Sequence, residues 1–531
     1  MPPAIALAGA RRYLGASRAA VRPIGRLQAG RGAVAQMGER CNRTAEVRGS
    51  IPLSSTSLRG FAATVGKPAK VACREGCPPQ LRRSVGGPDA GKHDRIVHYR
   101  WMSRLAFLTA LLLIGSCTRP ATASALLIEH VTLIDGTGGA PKPDASVLVE
   151  GDRIVAVGRG ALPNVPAGVE RIDGRGKFLL PGLIDAHVHL KTRARDPGMI
   201  EQILPNVLLK SGVTTVRDMG GNGEAVRALA EASRRPGARS PEIVYSVLFT
   251  GSRSDFWVTG DLVLVITPEG KPGSRPWFRH FANSDGLEQA VRDAKAFGAS
   301  GVKLHSGFTG AEVARIGAEA RRQGLRIWTH AFIGPARPSD AVEAGAATIS
   351  HADQLAYEGA EEPPPPLMGP AYRAQTQRMM AATPVDGPVL KRLFERMKAK
   401  GTCLEPTLMV MTPPHPTPEM ARYLAWVATA TDRAHRAGVA ICAGTDNIGG
   451  STSNLPEELR LLVERARLTP LEAIRSATFE NARALGLADR GVVAPGKRAD
   501  LLLLSADPGA DIANVKRVAG VVARGVWHEA H

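Results

Sequence analysis

Apolar and polar positions divide the chain into stretches of different period. From 125 to 180 the apolar runs are short, alternate with polar residues and stop at glycine or proline; Ser146 to Val157, turning at Gly151, reads as a hairpin. From 183 to about 487, strand-length apolar segments alternate with segments of helical period, the pattern of a parallel α/β architecture. Eight segments carry the strand pattern: 182–189, 213–218, 242–248, 301–305, 326–330, 347–351, 402–408 and 439–446. Their number predicts a closed (β/α)8 TIM barrel over 183–487. Apolar strands return at 500–504 and 520–527, so 124–182 and 488–531 predict a small β-sandwich domain formed from both ends of the chain.

Helix signals fit the intervening segments. Thr469-Pro470-Leu471-Glu472 supplies a cap, a first-turn proline and a capping-box glutamate. Two connections are long. Residues 250–284 follow the third strand and hold Trp277, Phe278 and Phe281 beside Arg275, Arg279 and His280, while 357–388 follow the sixth. Both leave the C-terminal ends of strands, where barrel active sites are built.

Charge changes the picture only at the N-terminus. The net charge is +19, yet residues 1–101 carry 18 Lys and Arg against 5 Asp and Glu, and the rest 50 against 44. The basicity therefore lies in a low-complexity segment with no sustained period, and no nucleic-acid partner is expected for the remainder. Residues 102–123 read as a secretory signal and linker. Met102-Ser103-Arg104 precedes an apolar run too short to span a bilayer, and Ile114-Gly115-Ser116-Cys117 resembles a bacterial lipobox with Cys117 as the lipidated residue. Ala121-Thr122-Ala123 is a rival cleavage site. The reading is an exported protein, periplasmic or lipid-anchored to the bacterial envelope, with translation starting at Met102; a disordered basic tail or transit peptide is the alternative for 1–101. The six cysteines predict no disulfide framework.

Chemistry concentrates at predicted strand ends. His187 and His189 are two apart on one strand, so both imidazoles share a face, as a metal site requires. Lys303, His330, His351 and Asp446 stand at the ends of the fourth, fifth, sixth and eighth strands. Each alone reads as a hydrogen-bonded strand-end residue, and Asp446 as a helix cap. Together they predict six side chains from five strands at one barrel mouth.

With these residues in place the chain resembles the amidohydrolase superfamily. Pro181-Gly182-Leu183-Ile184-Asp185-Ala186-His187-Val188-His189 is similar to its signature, and Gly212 to Asp218, Gly444-Thr445-Asp446 and Gly496 to Leu501 resemble further motifs in the expected order. In detail it resembles the imidazolonepropionase-like and prolidase-like branch, which includes metal-dependent dipeptidases. The resemblance implies that His187, His189 and Asp446 ligate one divalent metal and His330 and His351 a second, both most simply zinc. It also implies that Lys303 bridges them as a CO2-derived carbamate. An ammonium is a donor only, whereas a carbamate offers two anionic oxygens. Mononuclear deaminases of the fold lack that lysine and carry a glutamate where Ile333 stands. Where relatives often show His-Glu-Leu, this chain has Pro456-Glu457-Glu458-Leu459, a departure that falls on no predicted metal ligand.

The implied reaction is hydrolysis of an amide C–N bond, peptide-like or cyclic, by a metal-bridging hydroxide with Asp446 as general base. Arg217 and His305 are candidate substrate contacts. The expected partner is a small molecule such as a dipeptide or an N-acyl amino acid, with membrane contact only through a lipid anchor and the oligomeric state open. Hydrolysis of an ester, lactone or imidazolone ring, and a degenerate binding protein, are the alternatives.

Overall fold

The computed structural model describes residues 125–190, 204–253, 273–360, 369–448 and 454–530, within one compact unit. The basic segment, the signal with Cys117 and parts of both long connections lie outside the described residues.

The ends of the chain share one eight-stranded sheet. It is built from β1 (Ala125–Leu133), β2 (Lys142–Glu150), β3 (Arg153–Arg159), β4 (Glu170–Asp173), β5 (Phe178–Pro181), and, from the far end, β16 (Leu501–Leu504), β17 (Val518–Ala523) and β18 (Val526–Glu529). The order is β18-β17-β16-β5-β1-β2-β3, with β4 beside β1. Backbone bonds from Ile154 to Lys497 and from Ala499 to Asp152 fold the β3 edge back toward β16 over a shared core. Alternation explains that core: Ala145, Val147 and Val149 of β2 meet Leu501 and Leu503 of β16. Leu502 and Leu504 face the other way into the barrel's hydrophobic core, so β16 is apolar throughout because both of its faces are covered.

The second sheet is the barrel. Strands β6 (Leu183–His189), β7 (Val213–Asp218), β8 (Glu242–Thr250), β11 (Gly301–Leu304), β12 (Arg326–His330), β13 (Thr348–Ser350) and β14 (Cys403–Glu405) form a continuous parallel ladder in that order. Short strands β9 (Ser274–Arg275) and β10 (Phe278–His280) extend it beside β8, which buries Trp277, Phe278 and Phe281. Those aromatics are core, not an open substrate loop. Ile184, Ala186, Val244 and Trp328 belong to a small core cluster of the barrel strands, completed by Ala482, Ala484 and Leu485. Thr469 and Glu472 form the expected reciprocal cap.

The eighth barrel position departs from the expected strand. Residues 439–446 make an isolated bridge, Leu404 to Ile441, on one side, and bonds Ala186 N to Ala443 O and Asp446 N to His187 O on the other. Only β15 (Asn447–Ile448) pairs regularly, with β6. Close approach explains the irregularity: a Cβ on Gly444 would lie 2.7 Å from that of His187, and Asp446 takes φ 52°. Side chains hold the seam instead. Asn481 donates to Ile184 O at 2.7 Å and Ala443 O at 2.8 Å, and Asp185 accepts from Thr445 N at 3.1 Å and Thr445 Oγ1 at 2.8 Å. Across the other side, Cys403 and Cys442 form a disulfide with S–S 2.07 Å, a correction to the cysteine reading. Spacing alone could not reveal it, because the two cysteines are 39 residues apart and meet only when the barrel closes.

Candidate metal centre

The C-terminal ends of the barrel strands bring the predicted residues together. His187 Nε2 lies 3.4 Å and His189 Nε2 3.1 Å from Asp446 Oδ1. His187, His351 and Asp446 offer ligand atoms all within 4.8 Å of one another. The His330 and His351 rings are 4.6 Å apart between centroids, and those of His187 and His351 5.3 Å. Lys303 is buried on β11, and its Nζ is 3.4 Å from Ser350 Oγ. His305 packs 4.2 Å from His330, so it belongs to the same cluster.

The neighbours of these groups fix their orientation. His351 takes φ 73° and Thr407 φ 52°, left-handed conformations that non-glycine residues adopt at a cost. They place His351 Nδ1 2.9 Å from Thr407 Oγ1, while Glu458 holds that turn by accepting from Leu408 N at 3.1 Å and Met409 N at 2.7 Å. His189 Nδ1 lies 3.2 Å from Gly220 O, and Asp218 accepts from Leu190 N at 2.7 Å. Glu458 belongs to the tetrapeptide that departs from the family pattern, and it braces the turn after Thr407, the residue whose hydroxyl meets His351.

Burial sets the protonation states. It holds His187 and His330 well below the ordinary imidazole range, and so neutral with a lone pair to give. Burial also pushes the Lys303 amine down to about 7, against the pull of Glu405. For Asp446 burial acts upward, but the hydrogen bond and charge of His189 outweigh it and keep the carboxyl below the usual range, and the same contact raises His189 against its own burial.

A metal fits this donor set. Both ring nitrogens of His187 are buried without a hydrogen-bond partner, yet Nδ1 lies 3.3 Å from Glu405 Oε2 and Nε2 faces Asp446. A neutral imidazole has one proton for two carboxylates, so one nitrogen points a lone pair at an anion. A cation between that nitrogen and its carboxylate converts repulsion into ligation.

Arg217 is a correction. It is fully buried, paired with Glu405, and its guanidinium lies 4.6 Å over the Trp328 ring. It braces the floor of the site and is closed to a substrate carboxylate. Glu405 and Ser350 went unnoticed in sequence. The available signal for Glu405 was a carboxylate at the end of a barrel strand, in an otherwise apolar segment.

Residues 178–527 match the Amidohydrolase family. The chain is 26% identical over 415 residues to the imidazolonepropionase of Deinococcus deserti, covering 72% of this chain and 90% of that protein. Among solved structures it is similar to a Xaa-Pro dipeptidase with bound methionine in the active site (TM-score 0.57, 22% identity, 76% of this chain and 100% of the other). It is also similar to A. niger ochratoxinase (TM-score 0.59, 22% identity, 77% and 96%).

Proposed function

The chain belongs to the amidohydrolase family, and from that premise we propose that it hydrolyses an amide-type C–N bond, peptide-like or cyclic, with two divalent cations. The observation that carries this reading is the cluster of imidazoles around Asp446, with the buried His187 caught between two carboxylates. His187, His189 and Asp446 would hold one cation, His330 and His351 the other. The nitrogen and oxygen donors suit zinc.

Cations bound there supply Lewis acidity and a water of lowered pKa. The chain's residues do the rest. Lys303, with its amine at about 7, is available in the neutral form near neutral pH; its Nζ attacks CO2, loses a proton and becomes a carbamate with two anionic oxygens. Asp446, ionised at the mouth, takes the proton of the attacking water on its carboxylate and passes it to the departing nitrogen. His305, beside His330, is the substrate contact. The peptide-like and cyclic arms both rest on relatives, a Xaa-Pro dipeptidase and an imidazolonepropionase.

The test is metal analysis with a turnover screen of dipeptides, N-acyl amino acids and imidazolone rings. About two zinc per chain and turnover lost in Asp446→Asn support the reading; unchanged turnover in that variant overturns it. The protein is further read as exported, periplasmic or lipid-anchored through Cys117, and a buried disulfide favours export. Mass spectrometry of the native N-terminus checks this: residues 1–101 retained in the mature protein would refute it.

A further inference from the structure

We propose that Glu405 is the positioning residue for His187, holding its ring with the proton on Nδ1 so that the Nε2 lone pair is directed toward Asp446. The inference rests on His187 being a metal ligand, as read above. A ligating imidazole must give a lone pair from one nitrogen and therefore carry its proton on the other. Glu405 Oε2 lies 3.3 Å from Nδ1 of His187, close enough to accept its proton but not aligned as a hydrogen bond, and the ring is wholly buried.

Glu405 is itself held from two sides. Arg217 binds Oε1, and Ser350 donates to Oε2 at 2.6 Å. Arg217 is fixed in turn by the Trp328 ring beneath it and by Thr348 Oγ1 at 3.4 Å. The arrangement is a carboxylate–histidine pair whose carboxylate is pinned by a buried guanidinium. It keeps a carboxylate oxygen within reach of Nδ1 before any cation arrives, and an outer partner that orients a metal ligand raises affinity.

Removing Glu405 alone would strand the Arg217 charge and confuse positioning with stability. Two double variants avoid this: Arg217→Met with Glu405→Leu, and Arg217→Met with Glu405→Gln. Both delete the buried ion pair, but only the glutamine keeps an acceptor for Nδ1–H. Zinc affinity is read by chelator competition and the stability of the metal-free proteins by calorimetry. The leucine double variant should bind zinc about 10- to 100-fold more weakly than wild type. The glutamine double variant should recover most of that loss, at a similar melting temperature.

Equal zinc affinity in the two double variants overturns the positioning role. A wild-type protein that takes up no zinc overturns the metal reading and this inference with it. Should the leucine variant fail to fold, the tautomer decides in wild type. ¹⁵N-histidine spectra of the zinc-loaded protein, assigned against His187→Asn, should put the proton on Nδ1, and a proton on Nε2 refutes the proposal.

Discussion

Replacing Cys403 and Cys442 together with alanine tests how the barrel is closed. The disulfide spans 39 residues of chain, and a loop of that length costs the unfolded state about 4 kcal/mol of conformational free energy at 25 °C. With an unfolding entropy of about 2.1 cal/mol/K per residue over roughly 400 folded residues, that loss lowers the melting temperature by about 5 °C. Both sulfurs are buried, so the variant also loses apolar packing among Ile184, Ala186 and Trp328. The effect should be local as well as global. Between β14 and residues 439–446 the backbone makes one isolated bridge, and Cys442 lies four residues before Asp446. Calorimetry gives the melting temperature, and hydrogen exchange of 440–446 gives the seam. A variant that melts within about 1 °C of wild type, with unchanged exchange there, refutes the view that the disulfide closes the barrel.

Other predictions follow from the same geometry. On the proposed role of Lys303 as a carbamate bridging two cations, Lys303→Met should lower turnover on the order of a thousandfold, a loss of several kcal/mol; steady-state kinetics with zinc titration checks it. Glu458 is buried and its carboxyl is pushed up to about 8, above the 4.5 of a free side chain. Its folded pKa exceeds its unfolded one, so its contribution is fully present below pH 4.5 and is lost as pH rises toward 8. Glu458→Gln should therefore lose less melting temperature than wild type between pH 5 and 8, and equal losses would contradict the assignment. Asn481→Ala leaves the carbonyls of Ile184 and Ala443 without a side-chain donor and should cost about 1–3 kcal/mol in chemical denaturation.

Much of the site was legible because a barrel converts one-dimensional position into convergence. His187 and His189 share a strand face, and each other candidate lay at or within two residues of the end of a predicted strand, so the strand ends alone implied a common mouth. Glu405 and Arg217 were opaque for the opposite reason. Each ends a strand like the ligands do, but which neighbour claims it depends on ring stacking on Trp328 and on the Ser350 hydroxyl, neither of which periodicity encodes. The eighth strand was read from its apolar composition. Its ladder is missing because the segment must press Gly444 against His187, and three-dimensional crowding leaves no period.

The sheet drawn from both chain ends has a consequence for how this protein comes to exist. β5 lies between β1 and β16, so one edge of the N-terminal half-sheet stays open until the last stretch of chain has been synthesised. The nascent protein carries an apolar template edge, Phe178 to Pro181, through the whole translation of the barrel. A message cut short near its end therefore releases an adhesive intermediate, not a smaller enzyme, and the cell's handling of that edge decides the yield of folded protein.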